Sequence, residues 1–559
     1  MAKARRWLRR RMARLFRRVP QSRGSAGSPS TTAVLGRASG RSPTLVIVID
    51  GLRPDSINAS DTPNLFRLRR GGVDLLNGHA VFPTGTRVNA ATIATGAHPD
   101  RHGILNNSVY IPNAGASGRR ATPRHDELLR IQGRLGGRLL LVETLAEILA
   151  RHGMTFAAAS SGSTSSTLLL DPKAPEGLGA LVNGSFDAGV RVAYPDDVNR
   201  AVIDLFGPAP VKAGRSRSRD ALVDWTQHVL MEYVVPELAP DVVIDWFTEP
   251  DHTQHAYGAG SPEACEALRN VDRNIGYILS RLEQLDLVSR TNILVTSDHG
   301  VTRYERAIDL DRLLIDASLK SGAESDDVLV VANGPAAQLF VKGHDEDRVR
   351  AIVSYFQAQQ WSGVVFTPAV RPGGDESKAV KDDRPGDGVE PYGWVEGTFS
   401  LEIVRLFERE RHCDVLLTFP WSSANNEFGV PGTDVTTSVG KPMLHSGHGG
   451  MSPWAMRTAT IFSGPDFKDG ASITAPVSHV DLAPTILHLK GIDLPDRPDG
   501  RVIVEALKGG PDVGMVSVQT RTFETAGANG SYRAALQVSE VEGRRYVDKS
   551  WRLPAEPRS

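Results

Sequence analysis

The chain has 559 residues, of which 40% are hydrophobic and 23% are charged, and no apolar run approaches the roughly 20 residues that cross a membrane. The length and composition predict one large α/β domain of a soluble globular protein, with a smaller insertion. Only two cysteines are present, Cys265 and Cys413, which excludes a disulfide framework and a cysteine-based zinc site and leaves a single bridge open.

The charge is distributed unevenly along the chain. Residues 1–49 contain 12 Lys and Arg and no Asp or Glu, so with a net charge of −1 the remainder carries −13. Residues 1–19 place their apolar side chains on one helical face, which suits an amphipathic helix on an anionic membrane surface. A disordered basic tail, or a start codon placed too far upstream, would explain the same residues, and 20–43 has the composition of a flexible linker.

The arginine pairs of this segment precede no apolar region of the kind that a signal peptide needs. The sequence therefore predicts a protein of the cytoplasm or the inner membrane surface. Specific nucleic-acid binding is not expected, because the basic arm lacks a recognisable folded reading module.

The first predicted element of the folded part is the strand TLVIVIDG, residues 44–51, which is apolar, β-branched and closed by glycine. It ends on Asp50, a carboxylate that no apolar pattern explains. Ligands of open α/β sheets bind just beyond the carboxyl ends of the strands. Asp50 is therefore the first candidate ligand of a metal centre.

Further elements follow in chain order. Helices are predicted at 62–72, from Thr86 onward, at 138–152, 219–235, 271–288, 398–410 and 478–491. The small residues after Thr86 let that helix lie close to the sheet, and its N-terminus favours an anion. Residues 160–170 are predicted as loop or short strand, 328–368 as strand, helix and strand, and 371–393 as a mobile loop. Strands are predicted at 413–419 and 459–467, and a hairpin over 532–553 turning near Glu542 and Gly543.

Three later stretches repeat this pattern, in which a predicted strand is followed by an acidic residue and a histidine. They are DVVIDWFTEPDHTQH (241–255), TNILVTSDHG (291–300) and, more loosely, PMLHSGHGG (442–450). Each candidate alone has a plain explanation as a helix cap, a turn residue or a loop histidine. The set at strand ends favours metal ligation by these residues: Asp50, Thr86, Asp251, His255, Asp298, His299 and His448.

Mixed carboxylate and imidazole donors suit Zn²⁺, with Mn²⁺ or Mg²⁺ possible where oxygens dominate. Seven groups are too many for one tetrahedral ion. They divide between two divalent ions roughly 4 Å apart, an arrangement that can activate one oxygen and stabilise the leaving one in an in-line displacement.

The motifs resemble the alkaline phosphatase superfamily, and most of all its type I phosphodiesterase/nucleotide pyrophosphatase branch. The matching segments are IDGLRPD (49–55), FPTGTRVNAATIATGAHPDRHGILNN (82–107), EPDHTQH (249–255), TSDHG (296–300), SGHGG (446–450) and VDLAPTIL (480–487). The resemblance spans roughly 44–505, with poor matches over 108–240 and 301–440. It implies a mostly parallel central sheet flanked by helices on both faces, with a smaller α+β insertion.

The resemblance also implies roles for the matched residues. Thr86 would be the nucleophile, activated by a metal. Asp50, Asp298 and His299 would hold the ion that also binds Thr86, and Asp251, His255 and His448 would hold the second ion, which stabilises the leaving or attacking oxygen. Asn107 would donate a hydrogen bond to a non-bridging phosphoryl oxygen. The implied reaction is a double displacement through a phosphothreonine.

Four neighbours compete for these roles. Thr84 is the alternative nucleophile, and His445 is the alternative ligand to His448. Asp55 and His102 lie within the matching motifs, but local capping and loop bonding explain them better than ligation.

The sequence departs from the family at the residue after the nucleophile. Nucleotide-cleaving relatives carry an aromatic there, which helps to stack the nucleobase, whereas this chain has Arg87. An arginine beside the nucleophile suits a second anionic group, as in a pyrophosphate, a phosphomonoester or a phosphonate carboxylate. The alternative is that Arg87 points outward into solvent.

The sequence therefore predicts a metal-dependent hydrolase of phosphoric diesters or pyrophosphates, acting on small-molecule phosphoesters. The alternatives are a phosphomonoesterase or a phosphonoacetate-hydrolase-like enzyme on the same site, and an inactive metal-stabilised binding protein. The predicted parts are a tail over 1–43, a catalytic core over 44–325 and 441–510, an insertion over 326–440, and a C-terminal extension over 511–559.

Overall fold

The computed structural model describes residues 41–111, 124–210, 218–374, 389–437, 444–493, 498–528 and 530–554. The predicted amphipathic segment 1–19 and most of the predicted loop 371–393 lie outside these ranges. Within them, no helix combines the length and the apolar character that crossing a membrane requires. Cys265 and Cys413 are both free thiols, so the bridge that the sequence left open is not formed.

A nine-stranded mixed sheet forms the centre of the molecule. In spatial order its strands are Ala471–Ile473, Val73–Leu75, Thr460–Ser463, Asn292–Thr296, Thr44–Ile49, Val242–Phe247, Phe156–Ser160, Ala180–Val182 and Ala193–Tyr194. The first predicted strand, Thr44–Ile49, lies in the middle and pairs in parallel with Val242–Phe247 and Asn292–Thr296. Thr460–Ser463 and Ala193–Tyr194 run antiparallel to their neighbours.

Both faces of this sheet are covered, since its central strand is buried at every position and is apolar from Leu45 to Ile49. Leu45, Ile47 and Ile49 belong to the hydrophobic core on one face, and Val46 and Val48 to the core on the other. Helices cover both faces, which confirms the predicted fold class.

The α-helices are Pro63–Gly71, Thr86–Thr95, Pro99–His102, His125–Arg134, Leu145–Arg151, Thr164–Leu170, Asp196–Phe206, Asp220–Val229, Asp251–Tyr257, Pro262–Gln284, Leu310–Asp316, Glu346–Ala358, Pro453–Met456 and Leu482–Leu489. A π-helix, Leu230–Leu238, continues Asp220–Val229. Several predicted helices are therefore present with shifted ends. Leu145–Arg151 begins late because Thr144 and Glu147 form a capping box, and Pro262–Gln284 begins early because Ser261 caps it.

Smaller sheets surround the central one. The first, with five strands, contains Val328–Asn333, Ala336–Val341, Val415–Thr418, Val365–Thr367 and Phe399–Ser400. The second, with four strands, contains Trp421–Asn425, Pro431–Thr436, Thr302–Ala307 and Ser446–Gly447. The third, with three strands, contains Arg457–Thr458, Gly78–His79 and Val477–Ser478. The four-stranded sheet joins segments from both sides of the predicted boundaries at 325 and 440. Those domain limits therefore stay predictions.

The C-terminal segment forms a three-stranded sheet of Gln519–Ala526, Arg533–Val541 and Arg544–Leu553. The predicted hairpin is present, and Glu542 and Gly543 at its turn both have positive φ angles, of 50° and 74°. The backbone N–H of Ser550 donates to the Met451 carbonyl over 3.2 Å, which ties this sheet to the segment after His448.

The prediction of loop or short strand over 160–170 is wrong from Thr164 onward. Phe156–Ser160 is a strand, but Thr164–Leu170 is a helix whose seven residues are all buried. The Ser163 side chain accepts a hydrogen bond from the Ser166 N–H and caps the helix. The serine-rich composition was interpreted as a loop, although here it supplies an N-terminal cap.

The predicted helix over 398–410 is also wrong. Phe399–Ser400 is a short strand, and the chain then turns, with Arg405 at a φ of 60°. Leu401, Ile403, Val404 and Leu406 are all buried. The Leu401 N–H donates to the Thr367 carbonyl over 3.0 Å. Tertiary pairing has therefore overridden the local helical pattern.

Candidate metal centre

Three carboxylates follow three neighbouring strands of the central sheet. Asp50 ends Thr44–Ile49, Asp298 follows Asn292–Thr296, and Asp251 begins the helix after Val242–Phe247. Because these strands are parallel and adjacent, their carboxyl ends lie at one edge of the sheet. The fold thus brings the three acids of the predicted centre together.

Glycine after Asp50 allows this close approach. Gly51 has a φ of 70°, and a Cβ atom on it would lie 2.9 Å from the Cβ atom of Asp251. Its N–H donates to Asp298 Oδ1 over 3.2 Å. Any side chain at position 51 would push the carboxylates apart.

His448 reaches the same edge through the four-stranded sheet. Ser446–Gly447, directly before it, pairs with the start of Thr302–Ala307, which follows His299 closely. The rings of His299 and His448 consequently stack, with centroids 3.6 Å apart and an interplanar angle of 15°. The pairing of these two short strands therefore brings together two histidines that are far apart in the sequence.

The donor atoms of these residues form two overlapping groups that are suited to cations. Asp251, His255 and His448 make one group, and Asp50, Asp251 and His299 the other, with the ligand atoms of each group all within 4.8 Å of one another. Asp298 adjoins the second group, since its Oδ2 lies 3.1 Å from His299 Nε2. Asp251 belongs to both groups.

All three imidazoles direct the same nitrogen away from the site. Nδ1 of His255 lies 2.7 Å from the Ser446 carbonyl, that of His299 lies 3.0 Å from the Gly300 carbonyl, and that of His448 lies 2.7 Å from the Thr84 carbonyl. A carbonyl oxygen only accepts, so Nδ1 carries the proton in each ring. Nε2 is left with its lone pair for a cation, as in protein metal sites.

One oxygen of each carboxylate has no hydrogen-bond partner among the described residues. These buried atoms are Asp50 Oδ1, Asp251 Oδ1 and Asp298 Oδ2. Buried acceptors are normally satisfied, since leaving one unpaired costs about 1–3 kcal/mol. The three oxygens and three Nε2 atoms therefore fit a divalent cation site, which would supply the missing partner.

Without a cation the acids and imidazoles shift one another's pKa values. Burial, together with the charges of Asp298 and Asp251, raises the pKa of Asp50 well above its usual range. Burial opposes the charged form of His255, yet the Asp251 carboxylate raises its pKa to about 9. Burial and the neighbouring His299 lower the pKa of His448 to about 3. Such divergent shifts in one cleft mark a functional site.

Thr86 opens the helix Thr86–Thr95 beside this cluster, and its Oγ1 lies 3.3 Å from His299 Nε2. The first N–H groups of the helix favour an anion at this point. The side chain of Asn107 lies against the turn before the helix, because a Cβ on Gly85 would come within 3.0 Å of the Asn107 Cβ. Both residues are partly exposed, so a ligand can reach them.

Arg87 does not point into solvent, and that alternative is wrong. Its side chain is only 7% exposed. Nε donates to Ser165 Oγ over 2.7 Å, and Nη1 donates to Asn107 Oδ1 and to the Asn107 carbonyl, each over 3.2 Å. The backbone N–H of Arg87 also donates to Asn107 Oδ1, over 3.0 Å.

The four competing residues have other partners or positions. The Thr84 hydroxyl is buried and donates to the Gly450 carbonyl over 2.9 Å. His445 is exposed and belongs to neither donor group. Asp55 accepts two hydrogen bonds from Arg53, and His102 contacts Thr92 and Ile104, so the local explanation holds for both.

Thr84 nevertheless holds the His448 loop in place. Its hydroxyl also accepts from the Gly449 N–H over 2.9 Å, and its carbonyl is the partner of His448 Nδ1. We predict that Thr84→Val, which keeps the shape and removes both hydroxyl bonds, lowers divalent-metal affinity by about 10- to 100-fold. Titration of metal-depleted protein with Zn²⁺ measures this. Thr84→Ser is the matched control and should bind like the wild type, and equal affinity for both variants would contradict the role.

Sequence reasoning missed two supporting side chains. Trp246 Nε1 donates to Asp50 Oδ2 over 3.3 Å, and Glu249 Oε2 accepts from the Thr253 N–H over 3.0 Å at the start of the helix that carries Asp251 and His255. Trp246 lies in a mostly apolar strand and Glu249 just after it, so the sequence pattern does not distinguish them from core and loop residues. Their roles depend on the pairing of distant strands.

The fold and this donor set define an alkaline-phosphatase-like α/β protein with a candidate metal centre at the carboxyl edge of its sheet. The model of the type I phosphodiesterase/nucleotide pyrophosphatase family matches residues 44–368, more than half of the chain. The chain belongs to this family. The predicted resemblance is thereby confirmed.

The curated relatives that the chain matches are distant in sequence. The chain is 27% identical to human ectonucleotide pyrophosphatase/phosphodiesterase family member 7 over 263 residues, which cover 47% of this chain and 48% of that protein. It is 26% identical to venom phosphodiesterase 2 of Crotalus adamanteus over 310 residues, covering 55% of this chain and 32% of that protein. The matches thus span about a third to a half of these relatives.

Solved structures support the fold. Murine ectonucleotide pyrophosphatase/phosphodiesterase 5 superposes with a TM-score of 0.55 at 18% identity, covering 83% of this chain and all of that one. An inactive threonine-to-alanine variant of the same murine protein, in complex with AMP, gives a TM-score of 0.53 at 19% identity, covering 81% and 96%. At such identities the likeness concerns the fold alone.

Proposed function

We propose that this protein is a metal-dependent hydrolase of phosphoric diesters or pyrophosphates, with Thr86 as nucleophile and two divalent ions, Zn²⁺ in first place, held by six residues. Asp50, Asp298 and His299 would hold the ion next to Thr86, and Asp251, His255 and His448 would hold the second. Mn²⁺ or Mg²⁺ would serve where oxygen donors dominate.

The observation that carries this proposal is the juxtaposition of the Thr86 hydroxyl with the cluster of unpartnered donor atoms. Thr86 Oγ1 lies 3.3 Å from His299 Nε2. One buried oxygen of each of Asp50, Asp251 and Asp298 accepts no hydrogen bond within the described ranges. A hydroxyl needs activation before it attacks phosphorus. Divalent ions bound here would lower the pKa of that hydroxyl and stabilise the charge that develops on the departing oxygen.

The proposed chemistry has two displacements. In the first, Thr86 Oγ forms a bond to phosphorus, the bond from phosphorus to the alcohol oxygen breaks, and the hydroxyl proton leaves to solvent. In the second, water attacks phosphorus, the Thr86 Oγ–P bond breaks, and the threonine hydroxyl is restored. Each displacement is in line, so the attacking and leaving oxygens lie on opposite sides of phosphorus.

Asn107 would contribute a fixed donor to the phosphoryl group. Its Oδ1 already accepts from the Arg87 N–H and from Arg87 Nη1, which sets the orientation of the amide. The Nδ2 hydrogens then remain to donate to a non-bridging oxygen. The N-terminus of the helix Thr86–Thr95 would add backbone donors to the same anion.

Hydrolysis of bis-p-nitrophenyl phosphate tests the proposal, compared with p-nitrophenyl phosphate. We expect the metal-loaded protein to hydrolyse the diester faster than the monoester. Removing the ions with a chelator should lower the rate by more than about 100-fold, and adding Zn²⁺ or Mn²⁺ should restore it. Diester turnover that survives complete metal depletion would contradict the proposal.

The alternatives make different predictions in the same assay. A phosphomonoesterase would prefer p-nitrophenyl phosphate, a phosphonoacetate-hydrolase-like enzyme would require a carboxylate on its substrate, and an inactive binding protein would hold metal and hydrolyse neither. The AMP complex of the murine neighbour favours a small-molecule phosphoester as ligand. Peripheral membrane contact through 1–19 and a cytoplasmic location stay predictions.

A further inference from the structure

The guanidinium of Arg87 is a buried cation that has only neutral partners. Its hydrogen bonds go to the Ser165 hydroxyl and to the side chain and carbonyl of Asn107. Among the described residues, no carboxylate forms an ion pair with it, and the hydrogen bonds of its side chain use Nε and Nη1 and leave Nη2 unused. Buried charges are usually paired, because an unpaired charge in a poorly solvated site is costly.

The charge itself is retained. A guanidinium is not deprotonated in proteins, so the side chain stays positively charged at neutral pH. Asp50 belongs to the candidate metal centre, where bound cations would neutralise the negative charge of its carboxylate. With metals bound, Arg87 would therefore have a positive charge and no anionic partner in the part of the chain that the structure describes.

The position of Arg87 indicates which part of a substrate it can meet. Its anchor, Ser165, follows the strand Phe156–Ser160, whereas the three acids of the candidate centre follow the three strands that lie to one side of it in the sheet. Arg87 directly follows Thr86 in the same helix, so it would lie on the nucleophile's side of a bound phosphorus. In an in-line displacement the leaving oxygen departs on the opposite side. Arg87 thus faces a substituent that stays on phosphorus.

We propose that Arg87 binds a second anionic group on the substituent that the reacting phosphorus retains, so that the preferred substrates carry a phosphate or carboxylate next to that phosphorus. This inference rests on the proposed function. The unused Nη2 supplies two N–H donors beside a fixed positive charge, which suits an oxyanion. A neutral nucleoside at this position would leave the cation unpaired.

Matched esters with one leaving group test the preference. In p-nitrophenyl methylphosphonate the retained substituent is neutral, in p-nitrophenyl carboxymethylphosphonate it carries a carboxylate, and in the mono-p-nitrophenyl ester of methylenediphosphonate it carries a second phosphonate in place of a phosphate. Thr86 Oγ bonds to phosphorus as p-nitrophenolate leaves, and water then releases the acid, so the chemistry is the same in all three. The two anionic esters distinguish a carboxylate from a phosphate as the second group.

We expect kcat/KM of the wild type to favour at least one anionic ester over the methylphosphonate by about 10-fold or more, from the strength of charge-assisted hydrogen bonds. Arg87→Gln should bring that ratio close to one. Arg87→Lys should keep part of it, and Ser165→Ala should weaken it by freeing the side chain. A general structural defect would slow all esters alike, so the ratio within each variant is the decisive quantity.

A binding measurement separates this inference from the proposed function. Calorimetric titration of the metal-loaded protein with phosphonoacetate and with methylphosphonate requires no turnover. We expect phosphonoacetate, or methylenediphosphonate for the phosphate form, to bind about 10-fold tighter than methylphosphonate, and Arg87→Gln to remove the difference. Equal binding in the wild type, or a difference that Arg87→Gln leaves intact, overturns the inference. Absent turnover with the binding difference present overturns only the hydrolase proposal.

Discussion

Replacing Thr86 by alanine should lower kcat for bis-p-nitrophenyl phosphate by at least about 1,000-fold, while the protein keeps its metal ions. Loss of a nucleophile removes the first displacement entirely, and losses of this size are typical for such residues. The six side chains proposed as metal ligands would be untouched, although Thr86 Oγ1 lies 3.3 Å from His299 Nε2. Steady-state rates and metal content by elemental analysis measure both quantities.

Two further variants make this result specific. Thr86→Ser retains a hydroxyl and should keep a measurable rate. Thr95→Ala removes a hydroxyl from the other end of the same helix, where Oγ1 donates to the Ala91 carbonyl over 2.7 Å, and should act like the wild type. A Thr86→Ala protein that retains more than a tenth of the activity would exclude this residue as the nucleophile.

Replacing Asp251 by asparagine is expected to remove a ligand of the second ion, to weaken retention of the ion next to Thr86 through the lost negative charge, and to lower kcat by more than about 100-fold. Asp251 is the one carboxylate that belongs to both donor groups, and its Oδ1 is buried without a hydrogen-bond partner among the described residues. Its charge also supports His255, whose Nε2 lies 3.1 Å from Asp251 Oδ2. Metal content after dialysis, together with the diesterase rate, measures the effect.

Histidine variants serve as controls for the Asp251 experiment. His255→Gln should affect only the group that contains His448 and leave close to one ion bound. His445→Gln changes an exposed histidine that lies in the same loop as His448 but in neither group, and should retain both ions. Full metal content in Asp251→Asn would contradict the assignment of this residue to the centre.

The sequence predicted the acids of the site because their position follows from the strands. Asp50 ends a fully apolar run, and parallel pairing with Val242–Phe247 and Asn292–Thr296 then gathers Asp251 and Asp298 at one edge. At these residues the apolar pattern of each strand agrees with its place in the sheet, so an acid at a strand end could be located from the sequence. His448 was harder, because only the pairing of Ser446–Gly447 with Thr302–Ala307 brings it to His299.

The surroundings of Arg87 could not be predicted from the sequence. Its anchor Ser165 lies in a segment interpreted as loop or short strand, whereas Thr164–Leu170 is a buried helix capped by Ser163. The orientation of Arg87 depends on that helix lying next to Thr86–Thr95 in the fold. Contacts between helices from distant parts of the chain leave no trace in local periodicity, which also explains the wrong prediction over 398–410.

The most direct test of the account is the mass of the covalent intermediate. Protein mixed with bis-p-nitrophenyl phosphate is quenched in acid during the first turnover and digested with trypsin, which releases the peptide 71–87 with both Thr84 and Thr86. We predict a p-nitrophenyl phosphoryl adduct on this peptide, and fragment ions that place it on Thr86. An adduct on Thr84, or a burst of p-nitrophenol with the peptide unmodified, would contradict the mechanism.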